Sequence, residues 1–265
     1  MDLEPIPVIA WVESPLQLVG VAEWAAVQRR RVPIAGRLTP QMSETTDELI
    51  ARSALFGRCE PYLGIPWNLL ARHRHWLVGD GFSGQFRLAA AVLRPQRITF
   101  LDDGSNAIAF ADTLTGKRPF ARPGVRERGL TTRVAPFAFD VIAGRAREGQ
   151  VDFFTAFDFG SARAYVTSTA GRVLLGSARP VDGRMPLEEY LEWVRLESAR
   201  APVTYLPHRR EPDSQLAAVG AIAGIHVERQ SLPVEMLLAG AIERLDSALR
   251  STPPWVGADR TGPRS

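Results

Sequence analysis

Short apolar runs, each ending in a polar or glycine turn and followed by helical periodicity, constrain this chain more than any other feature. Val8 to Val12 leads into Glu13-Ser14-Pro15, His75-Trp76-Leu77-Val78 into Gly79-Asp80-Gly81, and Ile98-Thr99-Phe100-Leu101 into Asp102-Asp103-Gly104. Runs this short, with little polar alternation, fit strands buried on both faces, which is the pattern of a parallel sheet. Parallel neighbours require crossover connections, normally helices. After the first run Ser14 reads as an N-cap with Pro15 in the first turn, and Leu18, Val21, Ala22 and Ala25 recur at helical spacing. In an open α/β sheet the side chains just beyond the carboxyl ends of the strands line the ligand crevice.

The remaining chain supports the same class. Val32 to Leu38 reads as a second strand, Ser43 to Ser53 as a capped amphipathic helix, and His75 to Val78 as a third strand. From Ala107 to Gln150 the periodicity is short-range, and Thr113 to Gly124 has the composition of an exposed loop. Val151 to Thr155 and the aromatic stretch to Phe159 read as a passage between domains. Alternation then resumes: strands at Arg172–Gly176, Val203–Leu206 and Ile225–Val227, and helices at Pro186–Arg200 and Ser214–Ala223. Leu187, Tyr190, Leu191 and Val194 form one apolar face of the first of these helices. Ser231-Leu232-Pro233-Val234-Glu235 opens another. The expectation is two Rossmann-like domains, 1–150 and 151–265.

At 265 residues the chain is long enough for two such cores. Cys59 is its single cysteine, so a disulfide framework and a thiolate metal site are both excluded. The net charge is +3, and Lys117 is the one lysine among 32 basic residues. An arginine-rich surface suits phosphate-bearing partners. The charge is scattered, without a basic run interleaved with aromatics, and no nucleic-acid groove is expected. The start, Met1-Asp2-Leu3-Glu4-Pro5, lacks the basic-then-apolar layout of a signal peptide, and no apolar run reaches the ~18 residues of a membrane span.

Several residues carry chemistry on this framework. Asp102 or Asp103, at the end of a strand, is placed to take a proton from a hydroxyl, although an Asp-Gly turn accounts for the same residues. Gly79 to Gly84 matches GxGxxG with Asp102 further on, but a dinucleotide fingerprint belongs on the first strand of its domain, and a plain strand-to-helix turn is the simpler meaning. His73 and His75 alternate with arginines; no third ligand accompanies them, so they read as strand-edge polar residues rather than a metal pair. His208, followed by Arg209 and Arg210, suits a phosphate contact or a proton transfer near neutral pH, and equally an ordinary loop. Glu235 fits a helix-capping glutamate or a carboxylate on a ribose. Gly176-Ser177 and Ser251-Thr252 fit phosphate contacts or polar turns.

Taken in order, Ser14-Pro15-Leu16-Gln17, Asp102-Asp103-Gly104, Tyr205-Leu206-Pro207-His208-Arg209-Arg210-Glu211 and Leu232-Pro233-Val234-Glu235 resemble the bacterial sialyltransferases of glycosyltransferase family 52, which are similar in motif logic to the bacterial polysialyltransferases. Where that family commonly has proline after its histidine, this chain has Pro207 before His208 and Arg209 after it. The resemblance implies a GT-B fold with the active site between the two domains. It also implies metal-independent, inverting transfer of a sialic acid from a CMP-activated donor to a glycan or glycolipid, in the cytoplasm with peripheral contact at the inner membrane face. By motif it makes Asp102 the general base, with Asp103 as second choice, and Ser14, Pro15, Gln17 and Gly104 acceptor-side residues. His208 would assist the departing CMP, with Ser251 and Thr252 at the phosphate and Glu235 on the ribose; beside that motif, Arg209 adds a candidate phosphate contact, and Gly176-Ser177, after a strand, is a further candidate of the same kind. The same framework also serves another nucleotide-linked sugar, or a non-catalytic nucleotide- or glycan-binding protein.

Overall fold

The computed structural model describes residues 6–101, 105–120, 130–155, 172–230, 232–234 and 236, and the chain divides into two units, Met1–Asp158 and Phe159–Ser265. In the first unit β1 (Val8–Val12) is followed by α1 (Pro15–Val27), β2 (Val32–Arg37), α2 (Pro40–Ala51) and β3 (Phe56–Tyr62). Then come α3 (Trp67–Ala71), β4 (His75–Val78), α4 (Gly84–Leu93), β5 (Arg97–Leu101), α5 (Ser105–Leu114), α6 (Leu130–Arg147) and β6 (Val151–Phe154). The six strands form one parallel sheet in the order β3-β2-β1-β4-β5-β6. The chain thus builds outward from β1 in one direction, returns, and builds outward from β4 in the other. That is a Rossmann-like arrangement, with its reversal of order between β1 and β4.

Every residue of β1 and β4 is buried, as the absence of alternation requires of central strands. Ile9, Trp11, Trp76, Val78, Ile98 and Phe100 pack in one core with Phe86, Ala89 and Ala90 of α4 and Ile142 of α6. The alternate residues face α1, whose Gly20 lies against Leu101 of β5. Leu18, Val21, Ala22 and Ala25 are all buried, as their spacing predicts.

Several expectations are corrected. His75–Val78 is the fourth strand, because β3 precedes it. Its sequence, Phe-Gly-Arg-Cys-Glu-Pro-Tyr, carries no strand pattern; as an edge strand it is under no pressure to be apolar on both faces and tolerates Pro61. The second helix begins at Pro40, with the Thr39 hydroxyl accepting the Met42 N–H at 3.2 Å, not at Ser43. The weak stretch 107–150 holds most of α5 and all of α6, obscured by Pro136 inside the helix. Val151–Phe154 does not leave the domain. It pairs with β5 as the sixth strand, and Phe153 stacks on Phe100 at 5.3 Å, so the boundary lies at 158/159 rather than 150/151. His75 is not a strand-edge residue either. It sits in an interior strand, 6% exposed, with its Nε2 2.9 Å from the Thr99 hydroxyl and its ring edge-on to Trp24.

The second unit contains β7 (Arg172–Leu175), α7 (Leu187–Ser198), β8 (Val203–Leu206), α8 (Asp213–Gly220) and β9 (Ile225–Val227). Its parallel sheet has the order β7-β8-β9. Leu174, Val203 and Tyr205 pack with Tyr190, Leu191 and Val194 of α7 and with Leu216 and Val219 of α8. Leu187, expected on the buried face of α7, is exposed in its first turn. Among the described residues no helix is long and apolar enough to cross a membrane.

Burial, and after it the positive charge of Arg97, pulls the His75 imidazole down from 6.5 to about 4. The unfolded chain therefore takes up a proton at His75 below about pH 6.5, while the folded one resists until about pH 4. Stability contributed by neutral His75 is complete above pH 6.5 and lost on descending to pH 4, by roughly 3 kcal/mol. Urea denaturation across that range should show this decline, and His75→Gln should flatten it.

Candidate functional site

Among the described residues, the turns after β1 and β4 lie at the carboxyl edge of the first sheet. The Ser14 hydroxyl caps α1 by accepting the Gln17 N–H at 3.4 Å, and Pro15 is buried beside it. Gln17, 2% exposed, accepts the Glu13 N–H at 2.8 Å on Oε1, and its side chain fills the space beside Gly79 that a Cβ there would need. Ser14 and Gln17 thus brace the turns at the reversal between β1 and β4. In the turn after β4, Asp80 accepts the Phe82 N–H at 2.8 Å and Ser83 caps α4. Glu13, within 3.5 Å of the Ser83 hydroxyl, brings a second carboxylate to this crevice that the sequence pattern did not single out.

This packing also bears on the GxGxxG match. The space beside Gly79 belongs to Gln17, and a Cβ on Gly81 would come within 2.5 Å of the Phe110 ring. The glycines are required by side chains of the chain itself, which gives the turn reading a physical basis. Leu101 closes β5, and Asp102, Asp103 and Gly104 follow it outside the described residues. Glu235, Ser251 and Thr252 also lie outside them.

In the second unit the described candidates, Gly176, Ser177, His208 and Arg209, lie on two neighbouring turns. Gly176 and Ser177 follow β7, His208 and Arg209 follow β8, and both turns are tied to one side chain, Glu211. The carboxylate is 8% exposed. Oε1 accepts the His208 N–H at 2.7 Å, while Oε2 accepts the Tyr205 hydroxyl at 2.6 Å and Gln215 Nε2 at 3.0 Å. Because a carboxylate can only accept, Tyr205 spends its proton on Glu211, and its oxygen must accept from Tyr190, 2.6 Å away. Tyr190 in turn accepts the Ser177 N–H at 3.1 Å. The result is a directed chain of donors running from the Ser177 backbone to Glu211. Gln215 completes the ring by donating to the Ser177 carbonyl at 3.3 Å.

Burial pushes the Glu211 carboxyl up, opposed by the hydrogen bonds from Tyr205, the His208 N–H, Gln215 and the Ser177 backbone. The same burial raises both tyrosine hydroxyls, Tyr205 further than Tyr190, so the phenols stay protonated as donors. His208 is lowered, first by burial and then by Arg210 and Arg209. Arg210 forms a two-pronged pair with Asp182 at 2.6 and 3.0 Å and holds that carboxyl below its usual range. Arg209 is exposed in the turn.

Glu211, Tyr205, Tyr190 and Gln215 were not among the expected site residues. The available signal was one acidic residue in the otherwise basic Pro207–Arg210 turn, with Gln215 four positions on. A glutamate at that position reads as solvated until the fold buries it. In the first unit a cavity of about 510 Å³ is lined by Trp24, His75, Arg97, Thr99, Asp152 and Phe154 among others. No group of three or more metal-ligating side chains occurs among the described residues.

No family model matches the chain, and no curated protein matches it. Among solved structures it is similar to the binary complex of leucoanthocyanidin reductase with NADPH from Vitis vinifera, at 9% identity over 95% of each chain, with a TM-score of 0.31. A likeness at that level carries no argument about function.

Gly176 provides a direct check of the Glu211 network. A Cβ there would fall on Glu211 Oε1 and come within 2.7 Å of the His208 nitrogen. Gly176→Ala should therefore displace the carboxylate and destabilise the second unit by roughly 2 kcal/mol. Hydrogen exchange should show the loss across residues 172–230 and leave the first sheet protected.

Proposed function

We propose that the chain is an inverting glycosyltransferase of the GT-B kind, similar to the family 52 sialyltransferases, moving a sialic acid or related sugar acid from a CMP-activated donor to a hydroxyl of a glycan or glycolipid. The observation that carries this reading is the turn after β8, where Glu211 braces His208 beside Arg209 at the carboxyl end of a parallel strand. Such edges are where α/β sheets bind their ligands. The motif residues of both units follow carboxyl ends of strands: Ser14 after β1, Asp102 after β5, Gly176 and Ser177 after β7, and His208 after β8.

The chemistry asks for two things. One is a base that takes the acceptor's proton as its oxygen attacks the anomeric carbon, and Asp102 is assigned that role, with Asp103 as the less favoured choice. The other is stabilisation of the charge that collects on the departing CMP phosphate as the glycosidic carbon–oxygen bond breaks, and His208 and Arg209 are assigned to it. Glu235 is assigned to the ribose hydroxyls, and Ser251 and Thr252 to the phosphate. CMP is a good enough leaving group for this to proceed without a metal. Activity would take place on the cytoplasmic side, with peripheral membrane contact where the acceptor is a glycolipid.

Calorimetric titration with CMP, CDP, UDP and NAD, without added metal, tests the reading. Selective binding of CMP, weakened about tenfold or more in His208→Ala, is expected. Binding of NAD without CMP overturns it, and selective binding of UDP moves it to another nucleotide sugar. With a CMP-sugar and an acceptor supplied, Asp102→Asn should lower the transfer rate by about 10²–10⁴ while CMP affinity stays unchanged. Undiminished transfer removes Asp102 as the base.

A further inference from the structure

The His208 ring has one nitrogen already committed. Its Nδ1 lies 3.2 Å from the Arg210 N–H, which donates to it. A nitrogen that accepts from a backbone amide carries no proton, so the neutral ring holds its proton on Nε2, and protonating Nδ1 would set two donors against each other. The backbone on either side is held as well. The His208 N–H is bound by Glu211 Oε1 at 2.7 Å, and the His208 carbonyl accepts the Glu211 N–H at 2.9 Å, closing the turn from 208 to 211. Glu211 itself is fixed by Tyr205 of β8 and Gln215 of α8, beneath the Gly176-Ser177 turn.

We infer that Glu211 is the positioning residue of this edge: it holds the 208–211 turn so that His208 stays the Nε2–H tautomer, a neutral donor of one hydrogen bond to an anionic ligand and not a proton donor to it. That the anion is the phosphate of CMP rests on the function proposed above; the tautomer and the role of Glu211 do not. The two arginines beside the ring and its burial work in the same direction. Arg209 and Arg210 disfavour an imidazolium, Asp182 favours one but is taken up by Arg210, and burial lowers the ring further. Glu211, whose carboxylate would otherwise favour an imidazolium, is engaged on both oxygens by Tyr205, Gln215 and the His208 backbone.

Long-range proton–nitrogen correlation spectra of the full chain test this. Four histidines are present, and His208 is assigned by the signals missing in His208→Gln. At pH 7 the expected pattern is a bare Nδ1 and a protonated Nε2, with a titration midpoint below the ordinary 6.5. A major Nδ1–H tautomer, or a doubly protonated ring at pH 7, overturns the proposal. Glu211→Gln retains an acceptor for the His208 N–H and should retain the tautomer. Glu211→Asp, too short to reach both Tyr205 and the His208 N–H, should give mixed tautomers with a midpoint closer to 6.5. An unchanged ring in Glu211→Asp removes Glu211 from the positioning role, as does a lost preference in Glu211→Gln. With CMP as probe, Glu211→Asp should bind about tenfold more weakly, and Glu211→Gln close to wild type. A wild-type chain that shows the expected tautomer but does not bind CMP sinks the proposed function and leaves the positioning role standing. CMP binding to a chain with the opposite tautomer does the reverse.

Discussion

A parallel strand buried on both faces can be entered only at one end of the sheet and left at the other, and the chain must then cross the sheet's full height before it can add the next strand. That requirement organises both units. The crossover helices return the chain to the amino edge each time, so every turn that leaves a strand collects at the carboxyl edge. Residues far apart in sequence, such as Glu13 and Ser83 or Gly176 and Glu211, meet there for this reason alone. The reversal between β1 and β4 then opens a crevice in the first sheet, because the helices on either side diverge from it.

The second unit shows how a carboxylate is kept inside such an edge. A buried charge is costly unless its lone pairs are taken up. Glu211 has a phenol, a side-chain amide and a backbone amide on its two oxygens, and a glycine above it where any Cβ would intrude. Because each donor comes from a different element (β8, α8 and the turn itself), the carboxylate ties three segments together. Specificity of geometry follows from satisfying a charge that has nowhere else to go. The exposed Arg210–Asp182 pair adds little energy by comparison, but it holds the outer side of the same turn.

Much of this was legible beforehand. The runs at Val8–Val12 and Val203–Leu206 are interior strands with the same bounds, since strands covered on both faces have little use for polar residues, and Ile225–Val227 is an edge strand with the same bounds. The Ser14-Pro15 start of α1 was legible for a local reason, the hydroxyl cap followed by a residue lacking an N–H. The elements that escaped were those whose burial is decided from outside. β3 lies at an edge and borrows its regularity from β2, α6 buries only a narrow stripe including Ala138 and Ile142, and β6 is held by its pairing with β5. His75 misled for the complementary reason, since a histidine following the Arg72-His73-Arg74 stretch looks exposed until β1 and β5 close on either side of it.

What the sequence by itself determined is the class of fold and the positions of several turns that end its strands, because strand burial, helix capping and glycine turns depend on near neighbours. It also brought His208, Arg209, Gly176 and Ser177 to notice as residues that follow strands. Only the tertiary structure decided how those residues are held. Glu211 becomes the anchor of the second unit because Tyr205 and Gln215 face it across six and four residues, and because Gly176, from a different strand, leaves it room. The protonation of a histidine or a carboxylate follows from which groups surround it in space, and no spacing along the chain contains that information.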